Sequence, residues 1–174
     1  MMEFHNKIDY LGIDSINPSK LNANTMLNNT FEALKDNIEK NGFIGAILVR
    51  PDPLYKGKYE IIDGQKRFEA VKSLGASEIP AIVLDYNDIN AAINSIRFIR
   101  EHGYFDKEKT KALLDDLINK TNKMFVRETL KMNNKEWDLL IDDNPNDFSE
   151  EHDVDGAKYT QIMQESEKAK RIFY

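Results

Sequence analysis

Cysteine is absent from this chain of 174 residues. Disulfides, thiolate metal sites and thiol catalysis are therefore excluded. Long apolar runs are also absent, because no segment approaches the length of about 20 residues that a membrane helix requires. Residues 1–7 contain no apolar core of the kind found in a signal peptide. We therefore expect a cytoplasmic protein with no membrane partner.

An excess of positive charge is lacking as well. The 24 basic residues are outnumbered by 30 acidic ones, which gives a formal net charge of −6. Coating of nucleic acid without sequence preference needs a broad basic face, so this composition argues against it. The three histidines are scattered without the spacing of metal ligands. A local basic pocket remains compatible with these numbers.

What the first half does contain is a mixed pattern of strands and helices. A helical pattern precedes Gly42, and a second one ends at Gly75, the residue type that most often terminates helices. Pro80 cannot donate a hydrogen bond to a central ladder, so we expect its strand to lie at an edge of the sheet. Apolar strand patterns occupy residues 8–13, 44–49, 59–62 and 79–84.

From Asp88 onward the pattern is helical only. One apolar face runs from Asp88 to Gly103, and Asp106 is placed to cap the next helix. Asn133 and Glu136 have the spacing of a capping box for a later short helix. We predict three units: an α/β domain over 1–103, a helical appendage over 104–142, and an acidic linker with a C-terminal helix over 143–174.

The most informative stretch is Asp63-Gly64-Gln65-Lys66-Arg67. It follows an apolar strand and opens a helix, so the backbone N–H groups of the first turn converge with two basic side chains. Cations oppose the helix dipole at this end, but they suit a site where an anion docks. The alternative interpretation is that two exposed basic residues simply begin a surface helix.

Three segments in this order resemble the ParB/sulfiredoxin-like superfamily. They are Gly42-Phe43-Ile44-Gly45-Ala46-Ile47-Leu48-Val49-Arg50, then Gly64-Gln65-Lys66-Arg67-Phe68-Glu69-Ala70, then Leu74-Gly75-Ala76-Ser77-Glu78-Ile79-Pro80-Ala81. ParB members carry G-x-x-Q-P-I-x-V-R and G-E-R-R-x-x-A segments at these places. The resemblance covers about residues 8–100, and the chain is most similar to the stand-alone ParB-like proteins of phages and mobile elements.

This resemblance implies a small mixed sheet with helices, followed by an all-α appendage, and a bound nucleoside triphosphate. The expected cofactor is CTP or ATP, with Mg²⁺ as an optional companion, and a homodimer is an expected form of the protein. The residues implied in binding the phosphates, base and sugar are Gly42, Ile44, Gly45, Ala46, Arg50, Gly64, Gln65, Lys66, Arg67, Asn94 and Arg97.

The chain also departs from the family pattern. Sulfiredoxin activity is excluded because that chemistry requires a cysteine. Gly45-Ala46 replaces the glutamine–proline pair of ParB proteins, which weakens the case for a pyrimidine-specific pocket. In the ParB segment E-N-x-x-R, Ile93 stands where the metal-binding glutamate would be, and a competing register uses Arg100 instead of Arg97. We therefore expect slow nucleotide hydrolysis or none.

The function that the sequence favours is a nucleotide-binding switch or adaptor, acting in DNA partition or in the biology of a mobile element such as a plasmid or phage. One alternative is an enzyme of the same fold, namely a nucleotide hydrolase, a small-molecule kinase or a nuclease. Another is a protein-interaction module that binds no nucleotide. We interpret the helical appendage first as a docking or dimerisation unit and second as a DNA reader, with weak or partner-assisted contact to DNA.

Overall fold

A computed structural model describes residues 7–19, 28–102 and 106–141. The acidic linker and C-terminal helix predicted for 143–174 lie outside these described residues. The elements in chain order are β1 (Ile8–Gly12), a single 3-10 turn (Ile13–Ser15), β2 (Ile16–Asn17), α1 (Asn28–Asn41), β3 (Ile47–Pro51), β4 (Tyr59–Asp63), α2 (Gln65–Ser73), β5 (Glu78–Val83), α3 (Asp88–His102), α4 (Lys107–Lys120), α5 (Lys123–Leu130) and α6 (Asn134–Leu140).

The five strands form one mixed sheet in the order β1-β5-β3-β4-β2. The β1–β5 and β3–β4 pairs are antiparallel, whereas β3–β5 and β2–β4 are parallel. The predicted α/β fold with an all-α appendage is confirmed. Because β4 lies inside the sheet and leads directly into α2, the start of α2 is held by a rigid strand.

Apolar side chains cover both faces of the sheet and fill a third, purely helical core. Phe68 and Val71 of α2 join the sheet residues on one face, and α1 adds Ile38. On the other face, Ala91 and Phe98 of α3 pack over the sheet. The remaining apolar face of α3 packs against α4, α5 and α6; its buried members are Ala92, Ile93, Ile96 and Ile99. Helix α3 therefore joins the sheet to the helical region.

Two expectations about the strands are wrong. β5 does not lie at an edge, because it sits between β1 and β3. Its pairing with β3 begins only at Ala81, so the N–H that Pro80 lacks is not needed in that ladder. The third strand begins at Ile47 and not at Ile44, since Gly45 adopts φ of +90° and interrupts the extended backbone.

The helical region follows its sequence signals closely. The Asp106 side chain accepts from the N–H of Lys109 and caps α4. Asn133 and Glu136 form the expected capping box at the start of α6. Such caps satisfy N–H groups that have no partner within the helix, which is why they fix the helix starts so well.

Candidate anion-binding site

Helix α2 begins at a glycine for a steric reason. Gly64 has φ of +92° and serves as the N-terminal cap residue. A Cβ at this position would lie 2.8 Å from Cγ2 of Ile47 and 2.9 Å from Nη2 of Arg67. Within the described residues, no side chain caps the first turn of α2. The backbone N–H groups at this helix start therefore remain available to an anion.

The Arg67 guanidinium lies across this glycine turn. Its Nη1 donates to the carbonyl oxygen of Ala46 at 2.9 Å, and its Nη2 donates to Oδ2 of Asp63 at 3.1 Å. About a third of the Arg67 side chain is exposed, compared with 15% for Asp63. The group is thus held by two anchors while one edge still meets solvent.

The other two polar residues of the first turn are held by one carboxylate. Oε2 of Glu69 accepts from Nζ of Lys66 at 2.7 Å, and its Oε1 accepts from Nε2 of Gln65 at 2.9 Å. Oε1 of Gln65 is buried without a hydrogen-bond partner among the described residues. The Lys66 ammonium also lies 6.0 Å from the ring centroid of Phe31 on α1. We call residues 63–69 the seat. Both cations of the seat, Lys66 and Arg67, are therefore already paired with a carboxylate.

The loop before β3 contributes backbone more than side chains. A Cβ on Gly45 would lie 3.6 Å from Nη1 of Arg67, so this glycine borders the guanidinium closely. Ile44 is 78% exposed and stands beside it in the chain. Gly42 has φ of +79° and ends α1, with its N–H donating to the carbonyl oxygen of Ile38. The structure thus brings Gly45 and Ala46 to the seat, while Gly42 has a helix-ending role.

Arg50 is engaged in a buried ionic network. Its Nε and Nη2 both donate to Oε2 of Glu60, at 2.9 and 2.7 Å. Its Nη1 donates to Oδ1 of Asp88 at 2.8 Å and to the carbonyl oxygen of Tyr86 at 3.4 Å. Only 9% of the side chain is exposed. A phosphate could reach this guanidinium only by displacing carboxylates, so a phosphate-binding role for Arg50 stays a prediction.

The polar residues predicted on α3 also have structural partners. The buried Asn94 side chain donates to the carbonyl oxygen of Asn90 one turn earlier. Arg97 donates to the carbonyl oxygen of Thr129 at 3.0 Å, and Arg100 donates to that of Leu130. These carbonyls end α5, where positive side chains are favoured by the helix dipole. In this arrangement, Arg97 and Arg100 hold the helical region against α3.

Two pKa values are shifted near the contact between α3 and the helical region. Arg100 donates to both carboxylate oxygens of Glu136, at 2.8 and 3.0 Å, and this hydrogen bonding holds the pKa of Glu136 below its usual value. Burial raises the pKa of Tyr86, an effect that the nearby positive charge of Arg97 opposes. Both groups therefore keep their ordinary charge states at neutral pH.

Sequence reasoning missed the acids of the seat. Neither Asp63 nor Glu69 is among the binding residues that the sequence predicts. Their spacing did carry a signal, because Asp63 lies four residues before Arg67 and Glu69 lies three after Lys66. Side chains three or four residues apart near a helix face each other.

The fold and the seat define an α/β domain with uncapped N–H groups and a partly exposed guanidinium at the start of α2. The ParB N-terminal domain family matches residues 2–97, more than half of the chain. The chain therefore belongs to the ParB N-terminal domain family.

The chain is also similar to curated proteins and to solved structures. The nucleoid occlusion protein of Bacillus pumilus is 36% identical over 87 residues, which cover 49% of this chain and 30% of that protein. The chain therefore matches less than a third of this relative's length. The Caulobacter crescentus chromosome-partitioning protein ParB complexed to the centromeric parS site has a TM-score of 0.53 at 19% identity, covering 72% of this chain and 65% of that one. The same protein complexed with CTP-gamma-S has a TM-score of 0.51 at 18% identity, covering 97% and 99%. At these identities, both structures show the fold alone.

None of the helices that the structure describes is long and apolar enough to cross a membrane.

Proposed function

We propose that this protein is a ParB-type nucleotide-binding switch or adaptor that works with DNA, and that the phosphates of CTP or ATP bind at the start of α2. The observation that carries the proposal is the position of Arg67 above Gly64, at a helix start that no described side chain caps. The CTP-gamma-S complex of the Caulobacter protein supports the choice of ligand class.

The hydrogen-bond donors at the start of α2 are complementary to a phosphate. Free N–H groups at a helix start bind phosphate oxygens, and the dipole favours negative charge there. A guanidinium can donate two parallel hydrogen bonds to one phosphate, which makes such contacts strong and directional. Gly64 and Gly45 let the ligand approach the backbone because neither carries a side chain in front of Arg67. A polyphosphate satisfies all of these donors together.

The test is calorimetric titration of the protein with CTP, ATP, GTP and UTP, in the presence and absence of Mg²⁺. Arg67→Ala should weaken binding by about 1–3 kcal/mol, since a hydrogen bond to a charged group is worth that much, or roughly 5- to 150-fold in Kd. Lys120→Ala is the matched control, because Lys120 also forms an i,i+4 ion pair, with Asp116 at 2.8 Å. Equal affinity of a folded Arg67→Ala protein and the native chain would remove phosphate binding from this seat.

We further propose that the nucleotide acts as a ligand and is turned over slowly or not at all. Phosphoryl transfer depends on positioning and on neutralisation of charge by a metal ion. In the register that uses Arg97, the family position for the metal-binding glutamate is Ile93, which is 2% exposed inside the helical core. Phosphate release should be measured under single-turnover conditions with each triphosphate. A rate near about 1 s⁻¹, at the low end of ordinary enzymes, would favour the enzyme alternative.

Direct contact with DNA is proposed to be weak. A three-residue turn joins α5 to α6, as in a helix-turn-helix, yet the first turn of α6 is occupied by internal contacts. Glu136 binds Arg100 and caps its own helix, and Trp137 is buried. We expect non-specific affinity in the micromolar range or weaker at physiological salt. Sequence-specific retention of duplex DNA at about 0.2 M salt would contradict this.

A further inference from the structure

We propose that the seat takes phosphate oxygens without a bridging metal ion, and that Asp63 is the counter-ion that the phosphate displaces from Arg67. The inference rests on the proposed function and specifies its ligand chemistry. It specifies that the phosphate replaces Asp63 as the partner of Arg67, and that no metal ion binds with the phosphate.

Helix α3 offers no carboxylate where the family pattern places one. In the register that uses Arg97, the position is Ile93, and in the register that uses Arg100, it is Ile96. These two isoleucines are 2% and 0% exposed in the helical core. The carboxylates of α3 are Asp88, which is bound to Arg50, and Glu101 in the last turn. Neither register therefore supplies the acid that Mg²⁺ would need.

The acids of the seat are already paired with cations. Asp63 pairs with Arg67, and Glu69 pairs with Lys66. Among the described residues, no group of three or more histidine, aspartate or glutamate side chains could hold a metal ion. A divalent cation at Asp63 would have to compete with Arg67 for the carboxylate. Both acids of the seat are thus paired with a cation, so a metal ion gains a carboxylate there only by breaking an ion pair, whereas an anion is still offered the uncapped N–H groups of α2.

A phosphate is a better hydrogen-bond partner for Arg67 than Asp63 is. Asp63 accepts one hydrogen bond from this guanidinium, at 3.1 Å. Charge-assisted bonds to carboxylate or phosphate are commonly about 2.7–2.9 Å long, and bidentate ones are stronger still. A phosphate can accept two bonds from Arg67 and further bonds from the N–H groups of α2. It therefore displaces Asp63, whose negative charge opposes the incoming anion until then.

The experiment compares the full chain with Asp63→Asn, using inorganic pyrophosphate, CTP and ATP as probes, once with EDTA and once with Mg²⁺. Glu39→Gln is the matched control, because it removes one negative charge from an exposed site on α1. We expect binding in EDTA, affinity that Mg²⁺ leaves unchanged or lowers, and about tenfold tighter binding by Asp63→Asn. Glu39→Gln should bind like the native chain. Asp63→Ala, as a second variant, should change affinity in the same direction.

The other outcomes separate this inference from the proposed function. Tightening of tenfold or more by Mg²⁺, lost in Asp63→Asn, would make Asp63 a metal ligand and overturn the inference while the nucleotide site stands. Mg²⁺-dependent tightening that survives the substitution would overturn the metal-free binding. Weaker binding by Asp63→Asn in EDTA would show that Asp63 positions Arg67 and does not compete with the ligand. No binding of any probe in either buffer would overturn the proposed function and, with it, this inference.

Discussion

Replacing Gly64 with alanine should destabilise the fold through two separable effects. The left-handed backbone at φ of +92° costs a residue with a Cβ about 1–2 kcal/mol. The new Cβ would also lie 2.8 Å from Cγ2 of Ile47, a fully buried side chain, and 2.9 Å from Nη2 of Arg67. Forcing an extra carbon into a packed site typically costs about 1–3 kcal/mol. We therefore expect Gly64→Ala to lower the free energy of unfolding by about 2–5 kcal/mol in total.

Gly57→Ala supplies the matched comparison. Gly57 has φ of +78°, and no described atom lies within 4 Å of the position of its Cβ, so only the backbone cost of about 1–2 kcal/mol applies. Urea denaturation of the native chain and of both variants gives the two differences directly. A Gly64→Ala protein no less stable than Gly57→Ala would refute the close packing of Gly64 against Ile47 and Arg67. Gly64→Ala protein that still folds should also bind polyphosphate more weakly, because the new Cβ displaces the guanidinium of Arg67.

Three further predictions concern the buried charges and the helical core. Ile93→Glu places a carboxylate in that core and should cost about 3 kcal/mol or more in urea denaturation, whereas Ile93→Val should cost only about 1 kcal/mol. Glu60→Ala leaves the buried Arg50 with one of its two carboxylate partners, so we expect a stability loss of about 3 kcal/mol; a change below about 0.5 kcal/mol, typical of surface sites, would contradict a buried network. Because Arg100 lowers the pKa of Glu136 in the folded state, their pair stabilises the fold above the unfolded pKa of about 4.3. That contribution is lost as pH falls below this value and through the lower folded pKa. The native chain and Glu136→Gln should therefore differ in the pH dependence of their melting temperatures. When both proteins also carry Arg100→Met, this difference should disappear.

Local signals predicted the helical region well. Asp106 and Asn133 each accept a hydrogen bond from the N–H group three residues later, so both partners of each cap lie close together in the sequence and the cap is predictable from it. The same holds for the glycine that opens α2, since a strand, a tight turn and a helix follow one another without interruption.

Contacts between residues far apart in the sequence could not be predicted from local signals. Arg50 binds Asp88, which lies 38 positions later in the sequence, and Arg97 binds the carbonyl oxygen of Thr129, which lies 32 positions later. A family pattern predicts that such residues matter, but their contacts depend on how α3 packs between the sheet and the helical core. The place of β5 within the sheet was missed for a related reason. A proline prevents a strand from pairing with a neighbour only where the pairing requires the N–H group that proline lacks. Whether Pro80 does so depends on the register between β5 and β3.

The central claim is that the start of α2 binds a polyphosphate, and an NMR titration of backbone amides tests it most directly. With pyrophosphate or CTP, the account predicts saturable shifts of the amides of Gly64, Gln65, Lys66 and Arg67, with a smaller response at Gly45, and their loss in Arg67→Ala. Shifts confined to α4–α6, or shifts at α2 that persist unchanged in Arg67→Ala, would contradict it.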